Sequence, residues 1–225
     1  MTIRRTELWR FAMSIRISVR RLAFCLLALA LPAAANADYK HVIATKTIDV
    51  GSAQGVSIDF PVGELRVVGV DGDNVEVRIE LRCKHRHNCD DAVDDSRVIT
   101  DTRGEKIRIR VEGPKWHKDH HFKGYVEVPR SLALDVDMNV GELEIDGLEQ
   151  DLDVHLSVGE VDVDMPESAV RSVDMDVSIG DASLRPRGGS SVRGLLGKEI
   201  RWGDGQGKSR VEIQVSVGDA TLRLW

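Results

Sequence analysis

Cys83, His85, His87 and Cys89 occupy alternate positions, so an extended backbone would put all four side chains on one face. Two thiolates and two imidazoles are soft ligands of the kind zinc and copper take. An extended strand, however, would hold Cys83 and Cys89 about 20 Å apart. They meet only if the segment loops, and a loop closed by a Cys83–Cys89 disulfide is the simpler expectation. A second cluster follows at Trp116, His117, His120 and His121, and five of the seven histidines lie in these two stretches. His117, His120 and His121 are therefore the candidates for a histidine-only metal site. Flanked by Lys115, Lys118 and Lys123, the same histidines also read as a solvated basic loop that could touch anionic envelope polymers.

Carboxylates form the other chemical pattern. They stand at fixed distances from five glycines: Gly63, Gly141, Gly159, Gly180 and Gly218. Six residues before the last four of these come Asp135, Asp153, Asp174 and Glu212. One residue after them come Glu142, Glu160, Asp181 and Asp219. Stacked in register, these would form two acidic ladders. Like charges one strand apart repel unless screened, protonated or bridged by a cation. Calcium takes such oxygen ligands, but no known calcium-loop spacing appears. The expectation is a solvated acidic face without a cofactor, the acid after each glycine bonding corner amides. Calcium or a transition metal is the alternative.

Catalytic signatures are missing. No Gly-x-Ser-x-Gly elbow, phosphate loop or His-Glu-x-x-His motif occurs. Abundant carboxylates leave a polysaccharide-active enzyme as a distant third reading. The chain is read as a non-enzyme.

The elements that must carry these residues are strands. Val-Gly-Glu/Asp steps recur at Val62, Val140, Val158, Ile179 and Val217, and Trp202-Gly203-Asp204 reads as a degenerate copy. Apolar residues alternate on both sides: Leu134, Val136, Met138 and Val140 before Gly141, then Leu143 and Ile145 after it. Period-two alternation is a strand with one buried face. The parity slips by one at each glycine, which would turn the apolar face outward unless the chain bends there. Each unit of about 20 residues therefore reads as strand, glycine corner, strand and turn. Repeating units that bury a face only against neighbours predict an all-β, solenoid-like stack. An antiparallel β-sandwich is the alternative. Helix is nearly absent, with a short one allowed near Asp90 to Val98. Residues 83–121 read as an irregular Cys/His-containing insertion, and Trp225 as a cap over the last rung.

The N-terminus supplies an address. Six arginines in the first 21 residues precede an apolar run from Leu22 to Ala35, which ends in Ala35-Asn36-Ala37. The pattern reads as a secretory signal peptide over 1–37, with Met13 as the expected true start. The run is too short to span a bilayer. Without it, Lys plus Arg falls from 31 to 25 and Asp plus Glu from 37 to 36, leaving −11 over 188 residues. That balance argues against nucleic acid as a partner. Residues 38–225 read as a single β-repeat domain with two cysteines, in an exported chain.

The Val-Gly-Glu/Asp copies resemble a bacterial family of unknown function labelled "putative adhesins". So do Val128-Pro129-Arg130-Ser131-Leu132 entering a strand and the Gly-rich turn before the last copy. The resemblance spans about residues 53–224. It implies a right-handed β-helix-like fold in an exported envelope protein, periplasmic or on the cell surface, and brings no catalytic residues. The leading reading is a binding or structural module that presents a repetitive acidic polar face to an envelope protein or polysaccharide. The alternative is a periplasmic metal- or ligand-binding protein built on the histidine loop. On the disulfide reading, thiol labelling of the unreduced, unfolded mature chain should detect no free cysteine. Two labelled thiols would exclude it. So short a loop contributes about 2–3 kcal/mol, so the fold should survive reduction.

Overall fold

The alternating β-branched segments become long strands because such side chains pack well on a pleated, half-buried surface. The computed structural model describes residues 39–84, 89–114, 119–187, 192–195, 198–203 and 205–225. Four strands run through a glycine corner: β2 (Gly55–Val70), β7 (Ala133–Asp146), β8 (Leu152–Met165) and β13 (Ser209–Leu224). They lie parallel and in register, with Gly63 opposite Gly141, Gly141 opposite Gly159 and Gly159 opposite Gly218. Two further units complete the stack in pieces. β5 (Lys106–Glu112) and β6 (His120–Pro129) flank the two halves of β2, while β9 (Val170–Ile179) and β10 (Asp181–Arg185) flank the two halves of β13.

Spatial order departs from chain order. The bent strands run β2–β7–β8–β13, with β5/β6 outside β2 and β9/β10 outside β13. The C-terminal strand is thus interior to the stack. Antiparallel strands close both ends: β4 (Arg97–Arg103) on β5, β3 (Asn74–Cys83) on β6 and β1 (Tyr39–Asp49) on β3, with β12 (Lys198–Trp202) on β9 and β11 (Val192–Leu195) on β10 at the other end. Lys46 Nζ donates to Val98 O at 2.8 Å and to Thr100 Oγ1 at 3.1 Å, tying β1 to β4. The inner faces of both arms feed one core. Phe60, Met138, Leu156, Val177 and Val215 come from before the corner, and Leu65, Leu143, Val161, Ala182 and Ala220 from after it. Each large side chain buried there contributes about 1.5–3 kcal/mol.

The corner glycines touch one another. Their φ values lie between 137° and 145°, a region L side chains rarely adopt. A Cβ on Gly141 would stand 1.8 Å from Gly63 O, on Gly159 1.8 Å from Gly141 O, on Gly218 1.7 Å from Gly159 O and on Gly180 1.8 Å from Gly218 O. Gly63 meets Phe122 O at 1.9 Å in the same way.

Several expectations from the sequence are corrected by the fold. The segment 83–121 is regular over much of its length: α1 (Cys89–Asp94), β4 and β5 lie within it. Its Ile107, Ile109 and Val111 are buried, an alternation that the nearby histidines mask. Trp202-Gly203 is no corner, since Trp202 ends β12 and Gly203 has open space around it, while Asp204 lies outside the described residues. Trp225 is 56% exposed and caps nothing, because β13 has neighbours on both sides. The inward series ends one residue pair earlier than alternation implies. Met138 is buried, whereas Asn139 and Val140 both leave the core, because the bend opens the pleat on its convex side. Gly159→Ala should destabilise the protein by at least about 2 kcal/mol, since strain and backbone overlap combine. Gly203→Ala should stay within about 0.5 kcal/mol of wild type. Equal melting temperatures for the two variants would refute the corner account.

Candidate functional site

Outer faces before and after the corner carry the predicted carboxylates. Register brings one ladder together as Asp135–Asp153–Glu212–Asp174. The other runs Glu142–Glu160–Asp219. It is headed by Glu64, a member missing from the sequence-derived ladder although it follows Gly63 as the others follow their glycines. Asp181 N donates to Asp219 Oδ1 at 2.8 Å, so a corner amide does bind one of these acids, across strands.

Basic side chains of the chain itself meet the ladders. Lys106 Nζ stands 3.2 Å from Asp135 Oδ2, His155 Nε2 3.3 Å from Asp153 Oδ1, and Arg201 Nε 3.6 Å from Asp174 Oδ2. Arg210 pairs with Glu212. At the head of the second ladder Lys123 Nζ donates to Glu64 Oε2 at 2.7 Å. That hydrogen bond, aided by the charges of Lys123, Arg82 and His121, holds the Glu64 carboxyl below its usual range. Asp153 goes the other way. Partial burial, with Glu212 and Asp135 on either side, pushes its carboxyl up against the opposing pull of His155 and Lys106. Farther along, Asp164 and Asp162 hold the Arg223 guanidinium firmly protonated.

A row of apolar side chains divides these faces. Val62, Val140, Val158, Val217 and Ile179 are register partners along the outside of the corner. Val62 and Val140 are half-buried, but Val158 is 44%, Val217 42% and Ile179 57% exposed. Parity alone places these residues inside, so the ridge escapes the sequence. At its β2 end the ridge runs into a cleft of about 450 Å³, lined by Pro61, Val62, Leu81, Gly113, Pro114, His120, His121, Phe122, Asn139 and Val140. The cleft exists because the β5/β6 unit is interrupted where the others bend. The break brings Pro114 and the start of β6 to the corner.

The histidine region is partly visible. Cys83 and Cys89 are joined, with Sγ atoms 2.02 Å apart and Cα atoms 5.7 Å apart, and both are buried. His85, His87 and His117 lie outside the described residues. His120 sits opposite Cys83 and His121 opposite Arg82 on the β3–β6 ladder. Among the described residues no group of three or more His, Cys, Asp or Glu side chains is placed to hold a metal ion.

No protein-family profile matches this chain, and no curated protein matches it by sequence. Solved structures do. One from Clostridium sporogenes, described as a "putative cell adhesion protein", is 12% identical with a TM-score of 0.50. The match covers 84% of this chain and 100% of that one. Another, a "putative adhesin" from Parabacteroides merdae, is 10% identical over 80% of each chain, but its TM-score of 0.26 bears no argument. What is shared is the fold. No helix among the described residues is long and apolar enough to cross a membrane.

Asp153 sets a pH dependence. Its carboxyl titrates above the ordinary aspartate value of 3.8 in the folded state, so its ionisation opposes folding at neutral pH. That penalty fades as pH falls through the raised value. Glu64 has the opposite sign, and its contribution is lost as pH falls through its lowered value. Asp153→Asn should therefore raise the melting temperature at pH 7, with the gain shrinking on acidification. A fall in melting temperature at pH 7 would mean that the contact with His155 outweighs burial.

Proposed function

We propose that this protein is an exported, non-enzymatic binding module of the bacterial envelope, with an adhesin-like, repetitive acidic polar face as its working surface. The observation that carries the reading is the in-register array on the outer face before the corner. There Asp137, His155, Gln214 and Asp176 form one row, and Asn139, Ser157, Ser216 and Ser178 flank it. Strands about 4.8 Å apart present these groups at a fixed repeat. Ordering such a surface on binding costs little, because backbone pairing has already placed it. The parallel stack of bent strands supports the solenoid-like reading over the sandwich. The cell-adhesion description of the Clostridium sporogenes structure supports the class of function.

The basic, apolar start of the chain supports export through a signal peptide over 1–37, to the periplasm or the cell surface. The net charge of −11 on the remainder supports an envelope protein or polysaccharide as partner, not nucleic acid. No cofactor belongs to this reading, because Lys106, Arg210, Arg201 and Lys123 already offset the ladders.

Fractionation should recover the protein outside the cytoplasm, and purified protein should bind isolated envelope material saturably. Ser157→Arg combined with Gln214→Arg, both on exposed positions of the array, should abolish that binding without lowering the melting temperature. Retained binding by the double variant, or a cytoplasmic location, would overturn the reading. Melts in sodium and calcium buffers of equal ionic strength should coincide. A calcium-specific rise would instead show a cation bridging the rungs.

A further inference from the structure

Apart from Asn139, the cleft at the end of the corner ridge is unused by the proposal above, and its chemistry differs from that of the rest of the surface. We propose that it binds the alkyl chain of a single-chain fatty carboxylate, which then extends along the ridge. Three observations lead there. First, the cleft has the size and lining of a small-molecule site: about 450 Å³, mostly aliphatic, with His120, His121 and Asn139 as its polar groups. Second, its apolar surface does not stop at the mouth. Val62 and Val140 belong to both cleft and ridge, and the ridge continues through Val158 and Val217 to Ile179. That track is one side chain wide and four strand spacings long, about 19 Å. Its shape fits an extended alkyl chain and not a fused ring system or a helix. Serines flank it on one side and Glu142, Glu160, Asp219 and Asp181 on the other, so only a narrow apolar ligand avoids burying polar groups.

Third, charge gives the ligand a direction. His120 and His121 line the cleft; behind them Arg82 is the register partner of His121, with its Nη2 3.8 Å from Glu80 Oε2, while Lys123 is held by Glu64. The Nε of Arg82 is buried with no hydrogen-bond partner. A carboxylate headgroup therefore belongs at the β3–β6 end, beside His121 and the unpartnered Nε of Arg82, and not beside Glu142, Glu160 and Asp219 along the ridge. The tail passes Pro61, Val62 and Phe122 and emerges over Val140 and Val158. Gly113 shapes this end, since a Cβ there would stand 2.6 Å from the Phe122 ring.

Palmitate, decanoate and hexadecanol, added singly to lipid-stripped protein and followed by calorimetry and native mass spectrometry, test the site. Palmitate should bind one per chain. Each added methylene between decanoate and palmitate should raise affinity roughly two- to fourfold. Val140→Trp, or Asn139→Trp should the former not fold, fills the cleft and should weaken palmitate by at least about tenfold at an unchanged melting temperature. Arg82→Gln should weaken palmitate about tenfold or more yet leave hexadecanol unaffected, because only the carboxylate uses that charge. Val158→Ser should weaken palmitate but not decanoate. Absence of saturable binding, binding indifferent to both Trp variants, or association with lipid vesicles but not with monomeric palmitate would each overturn the proposal. None of these outcomes depends on whether the polar array binds envelope material.

Discussion

Contact between backbone atoms at the corner constrains everything else in this molecule. Where the strands bend, each glycine lies so close to the next that the neighbour's carbonyl oxygen occupies the volume a Cβ would need. The parallel ladder keeps its register through the bend because five consecutive units omit a side chain at the same step. Both arms of each strand then face one core, and the outer rows line up residue for residue. The contact also fixes what lies beside it. The residue before the glycine is pushed out of the core, which creates the apolar ridge, and the residue after it is the acid of the second ladder.

Electrostatics follows from that register and does not drive it. Stacking brings Asp135, Asp153, Glu212 and Asp174 together, an arrangement unfavourable by itself. Lys106, Arg210 and Arg201 lie beside the row and offset part of it, and His155 contacts Asp153. Most of these pairs are solvent-exposed and contribute little each, about 0–1 kcal/mol. Asp153 shows what is left of the conflict: its side chain is 50% exposed, yet partial burial and its acidic neighbours still push its carboxyl up. The fold carries this because burial of the hydrophobic core outweighs the repulsion: a single large side chain there contributes about 1.5–3 kcal/mol, and both arms of every unit supply several.

The β5/β6 unit departs furthest from the bent-strand pattern. At β5/β6 the corner glycine is replaced by a break in the strand, and the adjoining disulfide and α1 occupy the same end. Arg82, Lys123 and His121, the cleft and the half-buried start of the ridge all gather there. Regularity elsewhere gives broad polar faces, whereas this irregular end offers an apolar cleft. A polar surface and a small apolar site thus coexist on one scaffold through a single departure from the pattern.

Strand type, the five glycine bends and most of the ladder members are legible in the sequence, because a period-two pattern and a glycine requirement are local properties. Val136, Met138 and Leu143 announce their burial by spacing alone. Nothing local dictates which unit lies beside which. The chain-final β13 pairs between β8 and β9, and β5 leaves a segment that reads as irregular to flank β2. Those choices depend on long-range closure and on which edges remain open, quantities no short stretch encodes. The outward turn of Val140, Val158 and Val217 is hidden for a related reason. Alternation says that a face changes near the glycine, but the step at which it changes is set by how closely neighbouring backbones approach, which only the assembled stack decides.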